Sequence, residues 1–460
     1  MLQKFKQFEG LSVTIHTNSN CTCKCSYCYE LNKAASKTED EKFWNTTKHK
    51  DEVRNYDFIT NICPNSNNTI IDISKAKLFI DNILNFPETD FFEEFVLNKD
   101  ALIIDFIGGD SLQYPELVDE ILSYLTQQLI KLNHRWLYNW RASLSSNGVS
   151  LLNPKARQIC EKWKDQLSLG MSIDGCSELH DLNRWCFADN ADGSHRGSWQ
   201  YIKEVWPWYK KHFPFDSERT KWTLAPNSYK YMVESMKFLH EELGMSYLMF
   251  NRVMEDAIQD TSEQLWELIQ QFEKAVVYLA EHHLDLYCSP FDHNNTKNRT
   301  KDDLLKDDPN FSRCGFGKMP TLSLDGNVYP CFRMVPGSNH IKDSAKYAQG
   351  MYNDLLSNEE TLRKLNINSR AVNMKYPEKC ETCKIFSTCP HCAADCVNED
   401  SLLTKTTSVC NFTRLEVYYA RKYWKTIKAL YPSLYKKYDI TWNNEENDEL
   451  MRLVLEDINK

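Results

Sequence analysis

The sequence has no long apolar run. Across 460 residues, no stretch reaches the roughly 18 consecutive apolar residues that a membrane-spanning helix needs. The N-terminal segment MLQKFKQFEGLSVTI has no apolar region followed by small residues, the pattern that marks a secretory signal peptide. The sequence therefore disfavours a membrane protein and a secreted protein, and we expect a soluble chain in the cytoplasm.

Basic charge is also scarce. The chain has 55 Lys and Arg against 64 Asp and Glu, a formal net charge of -9 and a pI of about 5.8. A nucleic-acid binder normally has a basic surface that neutralises phosphates and releases counterions. Nucleic acid is therefore disfavoured as a partner. With 42% hydrophobic and 26% charged residues, the composition is that of a globular protein rather than a disordered or fibrous one.

Cysteine, in contrast, is abundant, with 17 residues. In a cytosolic chain glutathione keeps thiols reduced, so grouped cysteines indicate metal ligands more often than disulfides. One group lies near the N-terminus and a second near the C-terminus, where five cysteines fall between Cys380 and Cys396. The N-terminal group consists of Cys21, Cys23, Cys25 and Cys28.

Short apolar runs alternate with amphipathic helical patterns through the first half of the chain. The runs predict strands at residues 11–16, 101–107, 140–144, 167–174, 221–225 and 246–251. The intervening patterns predict helices at residues 74–86 (capped by Ser74), 115–132, 155–163 and 228–243. Strands separated by such helices form parallel sheets with right-handed crossovers, and about six units predict an α/β barrel, closed or partly closed. Loops after the strands would then form the active face.

Changes in composition predict the domain boundaries. Residues 1–255 hold the strand–helix units, with a polar insertion at 31–68, and residues 256–309 form a bridging helix and linker. Residues 310–425 form a second domain, and residues 426–460 a helical tail. The second domain begins with a hairpin in which Asp325-Gly326 predicts a type I′ turn with two positive-φ residues.

Three cysteines, Cys21, Cys25 and Cys28, have the spacing C-x3-C-x2-C directly after the first predicted strand. Three thiolates in one tight loop suit a 4Fe-4S cluster whose fourth iron stays open, whereas a structural zinc site needs four ligands. The motif resembles the signature of radical S-adenosylmethionine (SAM) enzymes, including the aromatic Tyr27 before the last cysteine. This resemblance implies that SAM chelates the open iron and is cleaved to a 5′-deoxyadenosyl radical. A zinc knuckle is the alternative, and Cys23 is an extra cysteine within the motif.

Further motifs extend this resemblance. Gly108-Gly109-Asp110 resembles the family's Gly-Gly-Glu element, which receives the ammonium group of SAM, although Asp is one methylene shorter than Glu. The turn that begins at Ser146 and the stretch from Ser172 to Arg184 resemble segments of peptide-modifying members. The alternatives are an ordinary tight turn at 108–110 and structural caps in the later stretch. The resemblance implies cofactor-binding roles for Tyr27, Gly108, Gly109, Asp110, Ser146, Ser172, Asp174 and Arg184.

The C-terminal cysteines resemble those of the SPASM domain, which holds two auxiliary 4Fe-4S clusters. The resemblance implies an outer cluster on Cys380, Cys383, Cys389 and Cys410. It implies an inner cluster on Cys314 and Cys331 with Cys392 or Cys396. One further ligand would come from the distant Cys288, or the inner cluster has an open iron. A pair of zinc sites is the alternative.

The resemblance covers most of residues 10–425. It implies a partial (β/α)6 TIM-type radical SAM barrel followed by a cysteine-rich SPASM domain. The implied cofactors are SAM, one SAM-binding 4Fe-4S cluster and two auxiliary clusters. The implied partners are a ribosomally made precursor peptide and an external reductant of the flavodoxin or ferredoxin type.

The implied reaction is hydrogen abstraction from the peptide, followed by a thioether or carbon–carbon crosslink. Sulfatase maturation is disfavoured because Phe332 stands where those enzymes have an Asp after the hairpin cysteine. The alternatives are a peptide epimerase or oxidase, and a non-catalytic iron–sulfur or zinc-binding interaction protein. No catalytic acid or base is assigned. Leader recognition is expected from a separate chain, the 31–68 insertion or the tail.

Overall fold

The computed structural model describes residues 10–23, 25–28, 70–85, 99–186, 194, 196–253, 260–311, 319–335, 376–389, 410–436, 438 and 444–459. The chain divides into two compact units. The first unit comprises Met1–Gly170, Cys186–Phe213 and Cys314–Ser369. The second unit comprises Met171–Trp185, Pro214–Arg313 and Arg370–Lys460.

The described residues form nine strands. These are β1 (Gly10–Asn18), β2 (Ala101–Gly108), β3 (Trp140–Ser146), β4 (Leu167–Met171), β5 (Arg219–Leu224), β6 (Tyr247–Arg252), β7 (Tyr287–Cys288), β8 (Thr321–Leu322) and β9 (Val328–Tyr329). All six strands predicted in the first half are present, which confirms the α/β class. Strand β4 is shorter than predicted and ends before Ser172.

The helices vary widely in length. They are α1 (Ile73–Leu84), α2 (Pro115–Lys131), α3 (Pro154–Lys162), α4 (Ser177–Asn183), α5 (Trp199–His212), α6 (Pro214–Ser217), α7 (Met232–Lys237), α8 (Ser262–Glu281), α9 (Lys301–Asp307), α10 (Glu378–Glu381), α11 (Cys410–Leu430), α12 (Pro432–Tyr435) and α13 (Asn444–Ile458). None of these helices combines the length and the apolar character that a membrane crossing requires.

The first unit is built on a six-stranded sheet in the order β4-β3-β2-β1-β8-β9. Strand β1 is parallel to β2 and to β8, and β2 is parallel to β3. Helices α1 and α2 contact each other and bury apolar side chains against β1 and β2. Each such side chain contributes about 1.5–3 kcal/mol when fully buried. The buried set includes Val13, Ile15, Phe79, Ile83, Leu102, Ile104 and Leu125.

The second unit is built on a three-stranded parallel sheet in the order β5-β6-β7. Trp222 of β5 stacks on Phe250 of β6, with ring centroids 4.7 Å apart. The long helices α8 and α11 pack together, and Phe272 stacks on Tyr419 between them at 5.2 Å. Aromatic stacking of this kind adds about 0.5–1.5 kcal/mol per pair to the area burial.

The predicted helix 228–243 consists of three segments. A 3-10 turn, Pro226–Tyr231, leads into α7, and α7 continues as a π-helical segment, Phe238–Glu242. In this segment the Leu243 N–H donates to the Phe238 carbonyl oxygen, five residues back, at 3.2 Å. Gly244 then ends the helix with a φ of 74°, the left-handed conformation that favours glycine after a helix. The predicted end of the helix is confirmed.

Two local predictions are wrong. Helix α1 is capped by Asp72, whose carboxylate accepts from the Ser74 N–H at 2.9 Å, so Ser74 is not the cap. In the hairpin between β8 and β9, only Gly326 has a positive φ, at 87°, so the turn is not type I′. Asp325 instead uses its carboxylate to accept from the Asn327 N–H and the Tyr329 hydroxyl. In both cases a short carboxylate competes for nearby donors.

Removing the carboxylate of Asp260 should destabilise the second unit. Asp260 accepts from Arg252 at 3.0 Å and from Tyr229 at 2.7 Å, and Arg252 is 6% exposed. Asp260→Ala leaves this guanidinium buried without its counter-charge, so we expect a loss of about 3 kcal/mol, measured by urea unfolding followed by circular dichroism. The control is Glu449→Ala, which removes an exposed partner of Arg452 and should cost almost nothing. Equal losses in the two variants would contradict the role of burial.

Candidate functional site

A loop after β1 carries Cys21, Cys25 and Cys28, and we call it the cysteine loop. All three thiols are partly exposed. The Cys28 N–H donates to the Cys25 carbonyl oxygen at 3.0 Å and closes a turn between these two residues. Three accessible thiols in one tight loop are the donor set that a 4Fe-4S cluster with an open iron requires. The chemistry of these side chains therefore fits the predicted cofactor.

The extra cysteine of the motif, Cys23, lies in the interior. It is 2% exposed, and its backbone forms an isolated antiparallel bridge with that of Cys186. A hydrogen bond between the two side chains, together with the neighbouring Cys21 and burial, raises the pKa of the Cys23 thiol well above its usual value. Cys186 donates in turn to the Gly197 carbonyl oxygen at 3.7 Å. Cys23 is thus buried next to Cys21, whereas Cys21, Cys25 and Cys28 are partly exposed.

Gly108 and Gly109 admit the backbone of the cysteine loop. A Cβ on Gly109 would lie 2.2 Å from the Asn20 carbonyl oxygen. Gly108 has a φ of 140°, and a Cβ there would lie 2.2 Å from the Asn18 carbonyl oxygen. Backbone N–H groups of Gly109 and Asp110 donate to these two carbonyls at 3.0 and 2.7 Å. The backbone of the protein itself therefore makes the close approach that both glycines permit. Contact between SAM and this turn stays a prediction.

The carboxylate of Asp110 joins the turns after β2 and β3. It accepts from the Ser146 hydroxyl at 2.9 Å, from the Asn147 N–H at 3.0 Å and from the Leu112 N–H at 3.0 Å. Asp110 is 2% exposed, and this burial raises its pKa although the hydrogen bonds oppose the shift. Two of the predicted cofactor-binding residues, Asp110 and Ser146, therefore bond to each other. Direct contact of either with SAM stays a prediction.

Asn147 connects this network to the cysteine loop. Its Nδ2 donates to the Cys21 sulfur at 3.3 Å and to the Thr22 hydroxyl at 2.9 Å. The Cys23 N–H also donates to the Cys21 sulfur, at 3.3 Å. Hydrogen bonds to cluster sulfurs tune reduction potentials. Asn147 is thus a site residue that the sequence reasoning did not select, although the motif that it shares with Ser146 contained it.

In the second unit, Asp174 and Arg184 form a buried pair. Arg184 Nε donates to Asp174 Oδ2 at 2.8 Å, and Arg184 Nη2 donates to Asp174 Oδ1 at 3.1 Å. Asp174 also accepts from the Thr223 N–H at 3.1 Å. Such bidentate pairing fixes the chain that follows β4. The bonding supports a bracing role for these two residues. Ser172 nearby is partly exposed, and the roles of all three toward SAM stay predictions.

His180 belongs to the same buried network. Its Nδ1 accepts from the Asp174 N–H at 3.3 Å, and burial lowers its pKa to about 3. The imidazole is therefore neutral at physiological pH and acts here as an acceptor. This geometry favours the structural alternative for His180.

Four C-terminal cysteines come together in the second unit. Cys380, Cys383 and Cys389 lie in one segment and Cys410 begins helix α11, and all four line one cavity of about 60 Å³. Burial and the charges of Cys410 and Cys383 raise the pKa of Cys380 to about 11. A cation in the cavity would offset this repulsion, so the four thiols fit the predicted outer cluster.

Of the other predicted cluster ligands, only some lie within the described residues. Cys331 is partly exposed and directly precedes a short 3-10 helix, Phe332–Met334. Cys288 is buried in β7, and burial raises the pKa of its thiol. Cys314, Cys392 and Cys396 lie outside the described residues, as does the 31–68 insertion. The choice between Cys392 and Cys396 therefore stays open.

No family model and no curated protein matches the chain. Solved structures do match. A structure of anSMEcpe with bound AdoMet is 17% identical and has a TM-score of 0.59, over 91% of this chain and 98% of that one. A structure of anSMEcpe with bound AdoMet and the Kp18Cys peptide is 17% identical and has a TM-score of 0.57, over 91% and 99% of the two chains. The chain therefore shares the fold of anSMEcpe.

Replacement of Cys21 and of Cys23 should have opposite effects on iron binding. We expect Cys21→Ala to lose the N-terminal cluster, about four iron atoms per chain after anaerobic reconstitution. Cys23→Ala should keep them, because Cys23 is buried beside Cys186. Iron analysis and electron paramagnetic resonance of the reduced protein measure the difference. Loss of the cluster signal in Cys23→Ala would show that the buried thiol is a ligand.

Removal of the Asn147 side chain should lower the reduction potential of the N-terminal cluster. The donor to the Cys21 sulfur stabilises the reduced, more negative state, and Asn147→Ala removes it. An anaerobic redox titration followed by electron paramagnetic resonance measures the shift. The matched control is Asn153→Ala, since both side chains accept from the N–H two residues ahead, at 2.8 and 2.9 Å. An unchanged potential in Asn147→Ala, or an equal shift in the control, would contradict the assignment.

Proposed function

We propose that the protein is a radical SAM enzyme that abstracts hydrogen from a ribosomally made peptide and forms a thioether or carbon–carbon crosslink. The observation that carries the proposal is the cysteine loop. Its three accessible thiols lie at the carboxyl end of β1, in a fold similar to that of AdoMet-bound anSMEcpe. Loops at the carboxyl ends of parallel strands are where α/β folds place their active sites.

The residues of the first unit would hold and orient the cofactors. Cys21, Cys25 and Cys28 would bind three irons of the cluster, and Asn147 would donate to the Cys21 sulfur. When bound, the SAM cluster supplies the electron that releases a 5′-deoxyadenosyl radical, and the auxiliary clusters supply an acceptor for the electron left over when the crosslink closes. Protein groups thus provide position and electrostatics, while the cofactors provide the radical chemistry.

The outer auxiliary cluster would be bound in the second unit by Cys380, Cys383, Cys389 and Cys410, which line one cavity. An oxidative crosslink needs an electron acceptor. Closing a thioether from a carbon radical and a thiol releases one proton and one electron, so the reaction balances only if that electron leaves the substrate. The cysteine-lined cavity supports a crosslinking reaction over epimerisation.

Two further elements of the proposal concern partners. A peptide substrate is supported by the similar structure of anSMEcpe, which was solved with the Kp18Cys peptide. The initial electron would come from an external reductant of the flavodoxin or ferredoxin type. The reduced thiols that the clusters require are consistent with the cytoplasm.

The first experiment measures 5′-deoxyadenosine formed from SAM and dithionite by the anaerobically reconstituted protein. We expect turnover by the wild type and at least a hundredfold loss in the triple Cys21/Cys25/Cys28→Ala variant, because the radical cannot form without the open-iron cluster. A matched control is Cys160→Ala, which removes a buried thiol outside the cysteine loop and should retain the activity.

Two outcomes would contradict the proposal. Equal turnover in the triple variant would show that 5′-deoxyadenosine does not depend on the cysteine loop. Absence of turnover in wild-type protein with full iron loading, with and without precursor peptide, would favour a non-catalytic iron–sulfur protein. Candidate peptides can then be tested by mass spectrometry, where a thioether or carbon–carbon crosslink lowers the peptide mass by two hydrogens.

A further inference from the structure

Two histidines and an aspartate meet in the second unit, and none of the roles described above uses them. His240 lies in the π-helical segment, His282 caps the C-terminus of α8, and Asp285 follows in the next turn. One ligand atom from each of the three side chains lies within 4.8 Å of the other two. Imidazole nitrogens and carboxylate oxygens are common ligands of divalent transition metals.

The hydrogen bonding of His240 fixes which nitrogen faces the cluster. Its Nδ1 lies 2.7 Å from the Met245 carbonyl oxygen, which can only accept, so Nδ1 carries the proton. Its Nε2 lies 3.3 Å from Asp285 Oδ2. A histidine that binds a metal typically donates its other ring N–H to a backbone carbonyl in this way. His240 is therefore oriented as a ligand through Nε2.

The carboxylate of Asp285 faces both rings. His282 Nδ1 lies 3.7 Å from Asp285 Oδ1, and the two imidazole rings are 5.1 Å apart at an interplanar angle of 74°. When His240 is neutral, its Nε2 lone pair opposes a carboxylate oxygen, and two acceptors at this distance repel each other. Either a proton or a metal cation must lie between them for the arrangement to be favourable.

We propose that His240, His282 and Asp285 form a binding site for Zn²⁺ or a similar first-row divalent cation. Tetrahedral zinc with ligands at 2.0–2.1 Å places neighbouring ligand atoms about 3.4 Å apart. The separation of 3.3 Å between His240 Nε2 and Asp285 Oδ2 matches this edge length, and His282 Nδ1 lies 3.7 Å from the other carboxylate oxygen, Oδ1. Asp285 is exposed, so water can complete the coordination shell.

The backbone around His240 supports the assignment independently. π-helical segments are rare and occur frequently at functional sites. Here the segment is closed by three bonds: Leu243 to Phe238 at 3.2 Å, Gly244 to His240 at 3.1 Å and Met245 to Leu239 at 2.9 Å. This path brings the Met245 carbonyl back to the His240 ring. A cation at the site would fasten the end of α8 to the π-helical segment.

The test is a Zn²⁺ titration of the reconstituted, iron-loaded protein by calorimetry under anaerobic conditions, with bound zinc counted after desalting. We expect the wild type to bind one more zinc per chain than Asp285→Asn or His282→Gln. Its affinity for zinc at this site should be at least tenfold higher than that of either variant. Cobalt bound in its place should show visible d–d absorption without the thiolate charge-transfer bands that a cysteine site would give.

Controls separate this site from the iron sites and from simple histidine–carboxylate pairs. His212→Gln removes a histidine whose Nδ1 lies 3.5 Å from the Glu161 carboxylate and whose ring stacks on Trp208, and it should leave zinc binding unchanged. Iron content should be equal in all variants, so failure of the zinc site is distinguishable from failure of the proposed activity. Because Asp285 is exposed, Asp285→Asn should fold normally. Equal zinc stoichiometry and affinity in wild type and Asp285→Asn, or no zinc binding by wild type, would overturn the proposal.

Discussion

A buried carboxylate, that of Asp110, connects three segments of the first sheet. It accepts from Ser146, Asn147 and Leu112, and Asn147 reaches on to the Cys21 sulfur. Burying a carboxylate costs free energy, and a protein tolerates this cost only when hydrogen-bond donors satisfy the carboxylate oxygens. Because these donors belong to the turns after β2 and β3, the carboxylate holds both turns in register with the loop that carries the thiols. The order of the cysteine loop therefore depends on strands far from it in the sequence.

The glycines and the carboxylate act together. Gly108 and Gly109 let the backbone at Asn18 and Asn20 approach β2, at a separation that any Cβ would prevent. In this arrangement an aspartate, one methylene shorter than glutamate, reaches Ser146 and the Asn147 N–H. The difference from the Gly-Gly-Glu pattern of radical SAM enzymes is thus compatible with a bracing function inside the protein. The turn at residues 108–110 thus holds the cysteine loop of the protein in place.

The cysteines in the described part of the chain divide into thiols that face solvent or a cavity and thiols that are part of the interior. Cys21, Cys25 and Cys28 are accessible, whereas Cys23 is buried against Cys186. In the second unit, Cys383 and three other cysteines share one cavity. Burial raises the pKa of an isolated thiol and makes it inert, while grouped thiols become strong ligands once a cation offsets their charge. The same residue type therefore serves packing in one place and binding in another.

The sequence by itself determined the α/β class, all six strands of the first half and the two groups of cysteines, because these follow from local periodicity and residue spacing. It also indicated that Asp110 and Ser146 belong to the site. Only the tertiary structure decided what these side chains contact: Asp110 bonds to Ser146, Asp174 pairs with Arg184, and Cys23 turns inward. The predictions for the cap of α1 and for the hairpin turn were wrong for a related reason. In both places a carboxylate, that of Asp72 or of Asp325, competes with neighbouring groups for the same hydrogen-bond donors. The meeting of His240 with His282 and Asp285 had no sequence signal, because residues 42 or more positions apart become neighbours only when helices pack.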